Sequence, residues 1–237
     1  MLILLNGRTI LVDTCVGEAK ERPELTAFHQ RRGSGFLQRL AAAGGRAEDI
    51  DTVFCTHLHV DHVGWNTQKA DGRWLPTFPH ARYLFGRLEL ADWMARRAAG
   101  TPPPFHLASL DDSVIPIVEA GLADLVDDGF ELAPELVLTQ LPGHTAGQMG
   151  LRIDRDDCRA IFCGDAIHSP VQLLQPDIST ASCVDGQAAA ATRRALLKEA
   201  TESGRVVAPA HFRGRRFCRV RRQGAGFDPA FIRSMPG

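Results

Sequence analysis

Apolar residues along this chain come in short runs separated by polar, helix-like stretches. Runs at 9–13, 52–55, 82–85, 136–140, 148–153, 160–163 and 205–208 have the length and β-branched content of strands. "MLILLNGRTILVDTC" reads as two short strands, the second of them the run at 9–13, turning at Asn6-Gly7, a dipeptide that favours tight hairpins. Three segments between the runs carry helical spacing. Residues 35–43 place leucines at 37 and 40 and stop at Gly44-Gly45. Residues 86–98 place Leu88, Leu90, Trp93 and Met94 near one face. Residues 185–203 are Ala-rich, open on Asp185 as a cap and end at Gly204. The Pro-rich stretch 100–116 reads as an irregular loop over a site. Strands interleaved with helices predict an α/β layered fold.

At 237 residues the chain suits a single domain, 1–237, or two merged half-domains. A formal net charge of -1 gives no global pull toward nucleic acid or an anionic membrane. No apolar run reaches the length of a membrane span. The first residues lack the basic start and the long apolar stretch of a secretion signal, so a cytoplasmic location is expected, although a strand at residue 1 leaves room for a start further upstream. Six scattered cysteines with no C-x-x-C pair read as reduced core residues.

The polar residues sit where the strands end. His57 follows 52–55, His144 follows 136–140, Asp165 follows 160–163, and His211 follows 205–208. Strand ends of α/β proteins are where rigidly held side chains gather into sites. "FCTHLHVDHVGWN" adds His59, Asp61 and His62. If the chain stays extended past Cys55, His57 and His59 point one way and grip one ion together. If a helix starts near Val60, Asp61 and His62 swing toward a second. Imidazole and carboxylate suit zinc and similar divalent ions, and three unpaired imidazoles in an interior would otherwise be costly.

"THLHVDHVGWN" resembles the H-x-H-x-D-H signature of the metallo-β-lactamase fold hydrolases. "LVDTC", "LPGHTAGQMG", "FCGDAIHSP" and "APAHF" resemble the superfamily's remaining motifs, in order, from Leu11 to about Phe212. The resemblance implies an αββα sandwich of two mixed β-sheets flanked by helices. It implies two divalent metal ions, with His57, His59 and His144 on the first, Asp61, His62 and His211 on the second, and Asp165 bridging. Histidine at 59, where redox di-iron members carry glutamate, favours zinc and hydrolysis, with iron or manganese left open.

A water shared by two such ions is acidic enough to give hydroxide near neutral pH, and needs no serine or cysteine nucleophile. Asp61 is expected to orient it. His168, three residues after Asp165, is the second catalytic candidate, as a pocket residue or as an ordinary turn residue. "GDAIHSPVQ" resembles the branch with lactonases and organophosphate-cleaving members. The tyrosine found near this place in some lactonases is missing, since Tyr83 is the chain's one tyrosine and reads as core. Asp13 reads as a buried carboxylate near the metals. Cys15 stands where the family has glycine, so the turn there is expected to differ. Trp65 and Phe105 read as pocket wall or packing, and His29, His80 and His106 as surface or packing. "FRGRRFCRVRR" (212–222) reads as a solvated strand face, or an interface paired with acidic residues, rather than a nucleic-acid patch. The expected substrate is a small ester-like molecule, a lactone first among them, with arylesterase or phosphotriesterase side activity. The alternatives are a phosphodiesterase or ribonuclease of the same fold, and a non-hydrolytic redox protein. A homodimer is the family-level expectation.

Overall fold

Ile10, Leu11 and Val12 are all buried, as an inner strand flanked on both faces requires. In the computed structural model this run is β2 of a mixed sheet; residues 1–5, 7–214, 216–224 and 226–233 are described. The strands are Leu2–Leu5 (β1), Arg8–Val12 (β2), Thr52–Phe54 (β3), Thr67–Ala70 (β4), Arg73–Pro76 (β5), Arg82–Gly86 (β6) and Ala123–Val126 (β7). They form a five-stranded sheet in the order β1-β2-β3-β6-β7 and a separate β4-β5 hairpin. β1 and β2 pair antiparallel, while β2, β3, β6 and β7 run parallel. The expected hairpin between β1 and β2 is present, although Asn6 of its turn lies outside the described residues. Helices α1 (Phe36–Ala42) and α2 (Arg87–Ala98) match their periodicity. Val53, Tyr83, Phe85, Trp93 and Ile117 belong to one core here, and Tyr83 is fully buried. These elements form a compact unit, Met1–Val126.

The second unit starts at Asp127. Its strands are Glu131–Ala133 (β8), Leu136–Gln140 (β9), Met149–Asp154 (β10), Arg159–Gly164 (β11), Val206–Pro209 (β12), Phe217–Gln223 (β13) and Gly226–Ile232 (β14). They make a seven-stranded sheet in the order β14-β13-β12-β11-β10-β9-β8, antiparallel except for the β11–β12 pair. The long α-helix of this unit, Gly186–Ser203, opens as its sequence predicts: Asp185 accepts from the backbone N–H groups of Gln187 and Ala188, both at 2.9 Å. In β13, Cys218 and Val220 are buried while Arg219, Arg221 and Arg222 are exposed. That alternation makes the described part of the Arg-rich segment a solvated strand face; Arg215 lies outside the described residues. The α/β class holds in both units.

Two expectations fail. The stretch 100–116 is not an irregular loop. It forms α3 (Pro104–Ser109), a π-helical turn (Leu110–Val114) and α4 (Ile115–Glu119). Pro104 sits at the start of α3, where a missing N–H costs nothing, so the prolines begin the helix instead of breaking it. Nor are all the cysteines core residues. Cys55, Cys163 and Cys218 are buried, but Cys15 is exposed and Cys158 and Cys183 are half-buried.

Loop 13–34 is tied down by polar groups the sequence does not flag. Arg22 donates both terminal nitrogens to Asp112, at 2.8 Å each, from a fully buried position. Lys20, equally buried, donates to Thr67 Oγ1 at 2.6 Å and packs on the Trp74 ring at 3.7 Å. Lys20 Nζ also lies 3.4 Å from Asp112 Oδ1, but burial outweighs that attraction and pushes its pKa down to about 8. Gly64 lies so close to this loop that a Cβ there would stand 2.0 Å from the carbonyl carbon of Val16.

Two predictions follow from this packing. Gly64→Ala has only backbone to push against, so urea unfolding should show a loss of about 3 kcal/mol or more. Between the folded pKa near 8 and the ordinary lysine value of 10.5, the unfolded chain binds more protons at Lys20 than the folded chain. The unfolding free energy of the parent minus that of Lys20→Met should therefore rise with pH across this window, measured by urea titration; a flat difference would contradict the lowered pKa of the buried lysine.

Candidate metal centre

The first histidine cluster leaves the end of β3. No helix begins near Val60: His62 N donates to the carbonyl of His59 at 3.0 Å, closing a turn that lays the His62 ring against His57, with centroids 4.0 Å apart. His57 Nε2 and His59 Nδ1 are 3.0 Å apart, and His57, His59 and His62 are all buried. Asp61 is partly exposed, with one oxygen 3.8 Å from His62 Nε2.

Outer partners decide which nitrogen each ring presents. With Asp13 Oδ2 as acceptor, His62 Nδ1 donates to it at 2.9 Å and Nε2 of the neutral ring carries the lone pair. Asp13 Oδ1 accepts from Thr56 N at 2.8 Å, and the Thr56 hydroxyl donates to the same carboxylate at 3.1 Å. The hydroxyl oxygen then accepts from His57 Nδ1 at 3.2 Å, leaving His57 Nε2 to face inward. One carboxylate thus sets two rings. It does so from a left-handed backbone, φ 58 at Asp13. Cys15 also takes φ 56, so the turn accepts cysteine where the family has glycine. Thr14 N donates to the carbonyl of His62 at 2.7 Å, fastening this turn to the cluster.

The sequence reading missed Glu89. This fully buried carboxylate on α2 accepts from Leu58 N at 3.0 Å and from Trp93 Nε1 at 2.7 Å, so it pins the backbone between His57 and His59. Its signal was an acid four residues before a tryptophan on the apolar face. His106 is packing: its ring stacks on His59, centroids 4.4 Å apart, and burial pushes its pKa down to about 4. His80 is exposed, and His29 Nδ1 accepts from Arg22 N at 3.0 Å. Trp65 is packing, stacked on Phe36 at 5.3 Å.

In the second unit three rings converge on one carboxylate oxygen. Asp165 Oδ2 lies 3.5 Å from His144 Nε2, 2.9 Å from His168 Nε2 and 3.0 Å from His211 Nε2. Asp165 and His144 are buried, His168 is half-buried and His211 is exposed. His168 Nδ1 is buried with no hydrogen-bond partner among the described residues. Its backbone N–H donates to Gln172 Oε1 at 2.7 Å, which fixes the turn after β11. Arg193 is a second residue the sequence hid. Fully buried on the long helix, it donates to the carbonyl of Ala166 at 2.8 Å, immediately after Asp165.

Each set fits a divalent cation by its chemistry. The donors are imidazole nitrogens and carboxylate oxygens, the ligands such ions take, and His144, Asp165 and His168 offer three donor atoms within 4.8 Å of one another.

Residues 1–211 match the family model of the Metallo-beta-lactamase superfamily. A curated relative, the "Probable metallo-hydrolase YflN" of Bacillus subtilis (strain 168), is 27% identical over 143 residues, 56% of this chain and 51% of that protein. The matched segment thus spans about half the length of that relative. Among solved structures, the hydrolase AbOPH of the beta lactamase superfamily superposes with a TM-score of 0.81 at 21% identity, covering 98% of this chain and 78% of that one. AidC, described as a dizinc quorum-quenching lactonase, superposes with a TM-score of 0.78 at 23% identity, covering 99% and 79%. With its family matched over 211 residues and its fold shared with these structures, the chain belongs to the metallo-beta-lactamase superfamily.

Proposed function

We propose that this metallo-hydrolase holds two divalent cations, zinc first among them, and cleaves a small ester-like substrate, a lactone by preference. His57, His59 and His144 would hold one cation, Asp61, His62 and His211 the other, and Asp165 both. The observation that carries the reading is the convergence of His144, His168 and His211 Nε2 on a single buried oxygen of Asp165. So many titratable groups in one place are costly unless they serve a charge. Bound cations would supply Lewis-acid polarisation of the scissile carbonyl and lower the pKa of a water.

The protein's own residues would do the rest. Asp61, the most exposed acid of the first cluster, would accept a hydrogen bond from the attacking water and orient it. His168, with Nε2 on Asp165 and Nδ1 unpartnered, would hold a proton for the departing oxygen. Asp13 and Thr56 keep the inward nitrogens of His62 and His57 free of protons. The lactone preference draws support from AidC, described as a dizinc quorum-quenching lactonase. The partner is the small-molecule substrate, with neither membrane nor nucleic acid; among the described residues no helix is long and apolar enough to cross a membrane. We propose a cytoplasmic homodimer.

Metal analysis of the purified protein should find about two zinc per chain. Hydrolysis of an acyl-homoserine lactone should disappear on chelation and fall by more than about 100-fold in His59→Ala. Turnover of a phosphodiester or RNA instead would replace the substrate class, and bound iron with no ester turnover would favour the redox alternative. Asp13→Asn leaves one acceptor oxygen where two are used. Zinc affinity, read by competition with a chromophoric chelator, should weaken about 10–100-fold while the metal-free protein keeps its thermal midpoint.

A further inference from the structure

His144 differs from His57 and His62 in what holds its outer nitrogen. Its Nε2 faces Asp165, and its Nδ1 lies 3.7 Å from the sulfur of Cys183. Resting on the metal reading above, we propose that Cys183 is a positioning residue for His144: its sulfur accepts the Nδ1–H, fixing the tautomer in which Nε2 carries the lone pair a cation would take.

At 3.5 Å, His144 Nε2 stands further from Asp165 Oδ2 than the usual N–H···O range, whereas the Nδ1–sulfur distance suits a hydrogen bond to sulfur, and the surroundings of the thiol favour this direction. Cys183 Sγ is 3.5 Å from Thr180 Oγ1, which in turn is 2.8 Å from Ser182 Oγ. A thiol has one proton. Given to Thr180, it leaves the sulfur lone pairs to accept from the imidazole. The turn is closed by Cys183 N donating to the Thr180 carbonyl at 3.1 Å, so the sulfur is not on a free arm.

The backbone that carries His144 is also held by the same stretch of chain. Val184 N donates to the carbonyl of His144 at 2.9 Å, and Asp185 N to that of Gly143 at 3.0 Å. Thr192 Oγ1 donates to the carbonyl of Pro142 at 2.6 Å. Gly143 sits so close to the long helix that a Cβ would stand 2.1 Å from Ala189 N. With the backbone fixed, the freedom left to His144 is ring rotation and tautomer, and the thiol is placed to remove both. Asp13 does this for His62 with a carboxylate. A sulfur acceptor is weaker and oxidisable, so it makes the hold on this ring the one open to redox chemistry.

The test compares the parent with Cys183→Ser, which keeps an acceptor, and Cys183→Val, which keeps the volume without one. Zinc affinity by chelator competition should fall about 10–100-fold in Cys183→Val and stay within a few-fold of the parent in Cys183→Ser. In the metal-free proteins, long-range ¹H–¹⁵N correlation should show His144 protonated on Nδ1 in the parent and in Cys183→Ser, and mixed tautomers in Cys183→Val. Parental zinc affinity and tautomer in Cys183→Val would overturn the proposal. So would a Cys183→Ser protein as weak as Cys183→Val, which would make the sulfur a ligand itself. A parent that binds no zinc would overturn the metal reading alone, because the tautomer measurement decides the thiol–imidazole contact without it.

Discussion

Burying an imidazole is costly unless its ring nitrogens find partners for a proton or a lone pair. That constraint shapes both halves of this protein. In the first unit it is met by Asp13, whose two oxygens serve His62 directly and His57 through Thr56. In the second it is met around Asp165, where three Nε2 atoms share one oxygen. Most of the local structure near these rings follows from meeting it. The turn at 59–62, the strap from Thr14 to His62 and the buried acid at Glu89 all hold ring-bearing backbone in place.

A second consequence is that other charges had to be buried to make the rings rigid. Lys20, Arg22 and Asp112 lock loop 13–34 to the π-helical turn, at a desolvation cost visible in the lowered pKa of Lys20. Arg193 holds the turn after Asp165 from an otherwise Ala-rich helix. Buried ion pairs are weak evidence for net stability, but removing one partner is strongly destabilising, because it leaves an uncompensated buried charge. Here they determine where loops go that have few apolar residues of their own. The small residues on the other side of the contact, Gly64 and Gly143, are required by how closely backbones approach.

The chemistry of hydrolysis asks for donors of this kind held without freedom. A ring whose tautomer is set before a cation arrives needs no reorganisation when it binds. Among the described residues a carboxylate stands beside His62, a hydroxyl beside His57 and a thiol beside His144. The three differ in acceptor strength and in oxidisability, so the rings are held with unequal firmness.

Much of this was legible in the sequence. The strands at 52–54, 136–140 and 159–164 and the helices at 87–98 and 186–203 follow from local periodicity and capping, which neighbouring residues decide among themselves. The donors stand directly after those strands, so the motif spacing already located His57, His144, Asp165 and His211 at element ends. Other features depend on residues far apart in the chain. The helical course of 104–119 was hidden because prolines break or begin helices according to position. The stacking of His106 on His59, the pairing of Arg22 with Asp112 over 90 residues and the anchoring of Leu58 by Glu89 exist only once the chain has closed. Sequence determined which donors are present, since ligand chemistry belongs to the residue. Tertiary structure alone decided which nitrogen each ring presents, because that depends on partners brought to it through space.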